Sequence, residues 1–280
     1  MAKMLKRVKM LRFLRNEVVL ITGGSSGIGR ELAFEAARRG AIVVVAARNL
    51  EKLQEVAKKC LILSGRPAFA YQLDVTDPDQ IDAVLSKVQH EVGGIDVLIN
   101  SAGLGDFIPA VKESYQSMER MVHTNLLALM YISRCVAKQM MDQGYGAIIN
   151  MGSLAGKLPT PNSAVYSATK AGVIQFDNVL RMEVADYGVQ VLTVNPGPID
   201  TPFFDKADND YTYRAHLPKW MFISPEDLAR RIWNNVGYKT REINVPGYVA
   251  YLGWAYQVIP GLGDWAIKKF FDFQQDKKNL

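Results

Sequence analysis

Cysteine is nearly absent from this chain: two in 280 residues, Cys60 and Cys135, far apart and with no C-x-x-C pair. That excludes a disulfide-stapled or zinc-built scaffold and points to a reducing compartment, in the simplest case the cytoplasm. Histidine is also scarce. His90, His123 and His216 show no metal-ligand spacing such as i, i+4, so no metal site is expected. Glycine (22) and proline (12) are not in excess, which removes collagen-like and low-complexity classes. A bilayer-spanning run is missing as well. The best candidate, Ile243–Gly263, has 21 residues without a charge, but Pro246 and Pro260 leave only 13 between them. Such a helix reaches about 20 Å against a hydrocarbon core of roughly 30 Å.

Beyond residue 15 the chain also has little net charge of either sign. Residues 1–15 hold Lys3, Lys6, Arg7, Lys9, Arg12 and Arg15 and no acid, so removing this +6 from the whole-chain +5 leaves −1. The body therefore offers no electrostatic footprint for nucleic acid. Arg12 and Arg15 also interrupt the apolar run that a secretory signal would need.

What the chain does have is regular alternation. Apolar, β-branched runs at Val18–Ile21, Ile42–Ala46, Ala68–Asp74, Val97–Asn100, Ala147–Asn150, Val189–Asn195 and Glu242–Val245 read as strands. Helix-period stretches lie between them: Arg30–Arg39, Leu50–Leu63, Pro78–Val92, Tyr115–Gln143 and Val165–Tyr187. Strands without polar alternation are covered on both faces, and strand–helix alternation builds a parallel sheet. The expectation is an α/β, doubly wound parallel sheet of about seven strands. Residues 16–245 form one domain, 1–15 a basic extension, and 246–280 a helical, apolar, aromatic extension.

After the first strand comes Thr22-Gly23-Gly24-Ser25-Ser26-Gly27-Ile28-Gly29, followed by a helix. Glycines let the backbone turn sharply against a pyrophosphate, and the helix N-terminus presents unpaired N–H groups and a positive dipole. This octet resembles that of the short-chain dehydrogenase/reductase family, with G-x-x-x-G-x-G spacing. Further collinear segments are similar to the family's: Leu73-Asp74-Val75, Asn100-Ser101-Ala102-Gly103 (Ser101 replaces a second Asn), Asn125, Ser153, Tyr166-x-x-x-Lys170, and Pro196-Gly197 with Ile199 and Thr201. Together they span residues 22–201. The resemblance implies a Rossmann-like fold, a bound nicotinamide dinucleotide, and a homo-oligomer.

It also implies roles. Gly23, Ser25, Ser26, Gly27, Ile28 and Gly29 would cradle the pyrophosphate. Asp74 and Val75 would meet the adenine. Asn100, Ala102, Gly103, Pro196, Gly197, Ile199 and Thr201 would line the rest of the cofactor. An acid at the end of strand two would bond the ribose 2′-hydroxyl of NAD; here Ala47 stands in its place and Arg48 follows. A carboxylate there would repel a 2′-phosphate, whereas Arg offers a planar charged fork, so NADP(H) is expected.

Hydride transfer to a carbonyl leaves an alkoxide that needs a proton, and a free tyrosine with a pKa of about 10 is poorly matched to that task. Lys170 lies one helical turn after Tyr166, and a cation there favours the phenolate. By resemblance Lys170 also grips the nicotinamide ribose, Ser153 bonds the substrate oxygen, and Asn125 holds a relay water for Lys170. No G-x-S-x-G elbow surrounds Ser153, so it is not read as a nucleophile.

Three segments should wall the substrate: Leu104–Ala110, Leu154–Thr160 and Ile199–Ile223. The last, with Phe203, Phe204, Tyr211, Tyr213, Trp220 and Met221, reads as a mobile aromatic lid over a small apolar ketone or alcohol. Other readings stay open. A dinucleotide-sensing regulator would have the same fold with little turnover. The aromatic C-terminal extension, with the basic N-terminus, fits either a membrane surface or a subunit interface. For the membrane reading, both ends have to lie on one side of the fold.

Overall fold

The computed structural model describes residues 11–208 and 221–276. Seven strands form one sheet: β1 (Val18–Thr22), β2 (Ile42–Ala47), β3 (Ala68–Gln72), β4 (Val97–Asn100), β5 (Gly146–Met151), β6 (Val189–Pro196) and β7 (Glu242–Val245). All pairs are parallel, in the order β3-β2-β1-β4-β5-β6-β7. The order reverses between β1 and β4, which opens a crevice at their carboxyl ends.

The doubly wound expectation holds, and β1 shows why its sequence has no polar alternation. Val19 and Ile21 join the apolar layer beneath α1 (Gly27–Arg38), α2 (Leu50–Ser64) and, later in the chain, Leu228, Ile232 and Trp233. Their neighbours Val18 and Leu20 join the opposite layer, with α3 (Pro78–Glu91), Ile132 and Leu180. Successive side chains point to opposite faces, and both faces are covered. Each fully buried residue of this kind contributes roughly 1.5–3 kcal/mol.

One expected helix is divided. Between Tyr115 and Gln143 the chain forms α4 (Tyr115–Val122), a π-helical turn over His123–Leu127, and α5 (Ala128–Gln143). Then come α6 (Ala164–Val184), α7 (Phe203–Ala207), α8 (Pro225–Trp233), α9 (Tyr248–Val258) and α10 (Pro260–Asp276). Pro246 and Pro260 thus bracket α9, and Pro260 opens α10. Among the described residues no helix is long and apolar enough to cross a membrane.

The two ends of the chain meet different edges of the sheet. Leu11 and Leu14 are buried in the core, and Arg12 Nε donates to the Gly237 carbonyl (3.1 Å) while its guanidinium lies over the Tyr238 ring. These partners precede β7, at the amino-terminal edge. α9 and α10 leave from the opposite edge, after the carboxyl end of β7. Residues 11–15 therefore do not share a side with the aromatic extension, and residues 1–10 lie outside the described residues.

Polar residues run through the centre of this apolar sandwich. Asn100 Nδ2 donates to Asn150 Oδ1 (2.9 Å) and Ser133 Oγ (2.9 Å). Asn150 Nδ2 donates to Asp177 Oδ1 (2.5 Å), and Thr193 Oγ1 donates to Asp177 Oδ2 (2.7 Å). All five are buried. Burial pushes the Asp177 carboxyl up to about 6, against the lowering pull of the Asn150 and Thr193 bonds and the Arg181 charge. A carboxyl whose folded pKa is raised stabilises the fold at low pH and loses that contribution as pH rises through the folded value. Between pH 4 and 6, urea unfolding should show the native chain losing up to about 3 kcal/mol relative to Asp177→Asn. Parallel profiles for the two proteins would refute this.

Candidate active site

A cleft of about 1250 Å³ opens along the carboxyl ends of the strands. At one end β1 runs into the glycine turn. Gly23 has φ +68°, and a Cβ there would sit 2.7 Å from the Ala102 nitrogen, so only glycine lets this turn lie against the backbone after β4. Thr22 Oγ1 accepts from the Ser101 and Ala102 N–H groups (3.2 and 3.3 Å), which fastens the two strand ends together. At the N-cap of α1, Ser26 makes no side-chain bond to the helix. The first amides of α1 are therefore left for an anion.

Gly23, Ser25, Ser26, Gly27, Ile28 and Gly29 all line the cleft, as do Arg48, Asp74, Val75, Ala102, Gly103, Pro196, Gly197, Ile199 and Thr201. Asn49 and Lys52, absent from the sequence reading, line it beside Arg48. Asn49 caps α2 by accepting from the Lys52 N–H (2.9 Å), so a second cation stands one turn from Arg48 at a helix N-terminus. The signal was present in the sequence as an Asn three residues before a Lys. Burial raises the Asp74 carboxyl, but bonds from the Thr76 N–H and hydroxyl and the charge of Arg48 outweigh it and hold the pKa below the ordinary value. Ser101 Oγ is buried and has no partner among the described residues. An uncapped helix end, an unpartnered hydroxyl and a glycine cradle fit a polar dinucleotide along this wall.

The middle of the cleft carries Ser153, Tyr166 and Lys170. Ser153 follows β5 and caps a short 3₁₀ turn, accepting from the Ala155 N–H (3.1 Å). The turn's Gly156 lies against α6: a Cβ there would stand 2.7 Å from the Lys170 carbonyl carbon. That contact sets Ser153 beside the helix that carries Tyr166 and Lys170. Lys170 is buried; its Nζ donates to the Met151 carbonyl (2.7 Å) and lies 5.7 Å from the centre of the Tyr166 ring. Phe107 and Phe203 pack against that ring with centroids at 5.6 and 5.9 Å.

Two residues of the sequence reading stand behind the wall. Asn100 belongs to the buried network, with its Oδ1 unpartnered among the described residues. Asn125 sits in the π-helical turn, fully buried. Its Oδ1 accepts from the Leu104 N–H (2.8 Å), and its Nδ2 donates to the Leu104 carbonyl (2.8 Å) and to Thr169 Oγ1 (3.2 Å). The side chain clamps the loop after β4 to α6.

On the substrate side, Phe107, Phe204 and Ala207 form a buried cluster joined by Tyr166, Phe203, Phe222 and Phe271. Phe107 had no sequence signal beyond its place in a loop, and Phe271 none beyond its place in the aromatic C-terminal extension. The base of the Ile199–Ile223 segment is closed by a parallel bridge between those two residues, with the Asp200 N–H bonded to the Ile223 carbonyl (3.1 Å). Tyr211, Tyr213, His216 and Trp220 lie outside the described residues; of the aromatic segment, Phe203, Phe204 and Met221 line the cleft. No group of three metal-ligating side chains occurs among the described residues. Both cysteines are free, and burial pushes the Cys60 thiol up to about 12.

A sequence model described as short chain dehydrogenase matches residues 17–212. A 3-oxoacyl-(acyl-carrier-protein) reductase of Vibrio cholerae is 35% identical over 222 residues, covering 78% of this chain and 89% of that protein. A short-chain dehydrogenase of Sphingobium yanoikuyae, solved with NADPH, superposes with a TM-score of 0.77 at 30% identity, over 90% of this chain and 95% of that one. A 3-ketoacyl-(acyl-carrier-protein) reductase of Brucella melitensis, solved with NADH, superposes at 0.76 and 27% identity, over 83% and 97%.

Burial lowers the Lys170 ammonium to about 8. A depressed lysine costs stability while it is charged in the fold, and that cost lifts as pH rises from the folded towards the unfolded value. From pH 8 to 10, urea unfolding should show the native chain gaining about 2 kcal/mol over Lys170→Met. Equal slopes would show that the ammonium is not held away from water.

Proposed function

The chain belongs to the short-chain dehydrogenase family, and from that premise we propose that it is an oxidoreductase working between NADP(H) and the carbonyl or alcohol of an apolar substrate. One observation carries the proposal: Ser153, Tyr166 and Lys170 face the same cleft as the glycine turn and Arg48. When bound, NADPH supplies the hydride to the carbonyl carbon. Ser153 would donate a hydrogen bond to the carbonyl oxygen, and Tyr166 would give its phenolic proton to that oxygen to complete the alcohol, regaining a proton from solvent afterwards. The Lys170 cation favours the phenolate left behind. Phe107 and Phe203 keep water from the Tyr166 ring. In the oxidation direction the same tyrosine takes the proton. A dinucleotide sensor would need none of these three polar side chains.

Relatives of the same fold have been solved with either cofactor, so the preference has to come from this chain. Ala47 offers no carboxylate, while Arg48 and Lys52 bring two cations to the rim where a 2′-phosphate would lie. Assembly with further copies belongs to the same proposal, supported by exposed apolar side chains on α6 such as Met182 and Val179.

Two outcomes follow. Arg48→Ala should lose about 1.5–3 kcal/mol of NADPH affinity and little NADH affinity, measured by cofactor fluorescence titration. Equal affinity for the two cofactors in the native chain would refute the assignment. Tyr166→Phe should abolish turnover of a validated ketone while NADPH still binds, and retained turnover would remove Tyr166 from the mechanism.

A further inference from the structure

We infer that the limb of the cleft running along α9 and α10 is a channel for an unbranched hydrocarbon chain, which makes the substrate a long-chain ketone or secondary alcohol. The inference rests on the oxidoreductase reading and extends it to the substrate. The hairpin lies outside the region matched by the family model, residues 17–212.

The lining of this limb is apolar but for the hydroxyls of Tyr248 and Tyr256, the latter donating to Asp264 (2.9 Å). Leu252, Ala255, Ile259, Leu262, Ala266 and Ile267 face it from the hairpin. The charged side chains of the cleft, Arg48, Lys52, Asp74, Asp106, Arg120 and Lys170, all belong to other elements. Water in such a limb finds few partners, and an apolar chain displaces it favourably. Among the described lining residues of the hairpin, a substrate with an anionic tail would meet no counter-charge. α9 has 11 residues, about 16 Å of helix, which matches roughly a dozen methylenes laid beside it.

The limb is fixed relative to the catalytic tyrosine at both helices. On α9, Gly253 rests on the loop after Ser153: a Cβ there would lie 2.9 Å from the Lys157 carbonyl oxygen. Lys157 is itself ion-paired to Glu242 of β7 (2.6 Å). On α10, Phe271 packs into the cluster that contains Phe107, Phe204 and Tyr166. The limb is therefore continuous with the Tyr166 pocket and open along the hairpin, where Leu252, Ala255, Ile259, Leu262 and Ala266 are exposed. A chain entering from this open side places its functional end towards Tyr166 and its tail against the hairpin.

The test is the rate of NADPH oxidation with 2-alkanones from 2-butanone to 2-tridecanone. The value of kcat/KM should rise about three- to fourfold per added methylene until the limb is filled. Ala266→Trp and Ala255→Trp, which fill the limb from either helix, should each lower the 2-undecanone to 2-butanone ratio at least tenfold. Ala255→Leu serves where the larger residue prevents folding. Rates indifferent to chain length, or a ratio unmoved in folded variants, would overturn the channel. An unmoved ratio with a split oligomer would make the hairpin a subunit contact, and one with lost vesicle flotation a lipid contact; either also overturns it. If NADPH binds but no ketone of any length is reduced, the oxidoreductase reading fails. The channel is then tested by displacing N-phenyl-1-naphthylamine with primary alcohols of increasing length, where absence of any length dependence refutes it.

Discussion

In the proposed mechanism the Lys170 ammonium carries its charge out of contact with water, and much of the surrounding structure bears on both conditions. Burial alone works against the charge. The Met151 carbonyl at the end of β5 accepts from it, which ties the cation to the strand that also delivers Ser153. The helix bearing it can come this close because Gly156 leaves space between that strand's following turn and the helix backbone. The sheet edge, the serine turn and α6 are therefore mutually positioned through one cation. A parallel sheet suits this arrangement, because all its strands end at the same edge and can bring residues distant in sequence to one cleft.

α6 shows how a single helical stripe serves both stability and chemistry. Tyr166, Lys170, Val173 and Asp177 recur at helical spacing along one face. The first two reach the cleft, Val173 packs, and Asp177 closes the polar network across β4, β5 and β6. An apolar residue at 177 would be the ordinary choice for a face packed on a sheet. The carboxylate instead receives the amide of Asn150, whose oxygen in turn holds Asn100 just below the cofactor wall.

The sheet was legible because each strand is apolar on both faces, and the sequence ranges differ from the observed ones by only a residue or two at most ends. The glycine turn and the Tyr166–Lys170 pair were legible because their chemistry is local: a strand end, a tight turn, one turn of helix. The Asn100–Asn150–Asp177 network was not, since each member reads alone as an ordinary polar residue and the pairing joins positions 27 and 50 apart. Lys52 needed the capping role of Asn49 to be set beside Arg48. The direction of the C-terminal hairpin was invisible for a similar reason: an apolar helix announces that it must be covered, not by what. The Lys157–Gly253 and Phe271 contacts, with the hairpin residues that line the cleft, show that it turns back over it.

The π-helical turn at His123–Leu127 lets Asn125 grip Leu104 by both its N–H and its carbonyl. A π-turn holds one residue more than the regular coil around it, and its hydrogen bonds are the poorer for it. Loss of a single residue within this stretch would restore an even α-helix from Tyr115 to Gln143 and swing every later side chain by about 100° relative to the earlier ones. Such a shortened helix would be better hydrogen-bonded and would release the loop at Leu104. The fold thus accepts a less regular helix in exchange for a fixed position of the loop at Leu104.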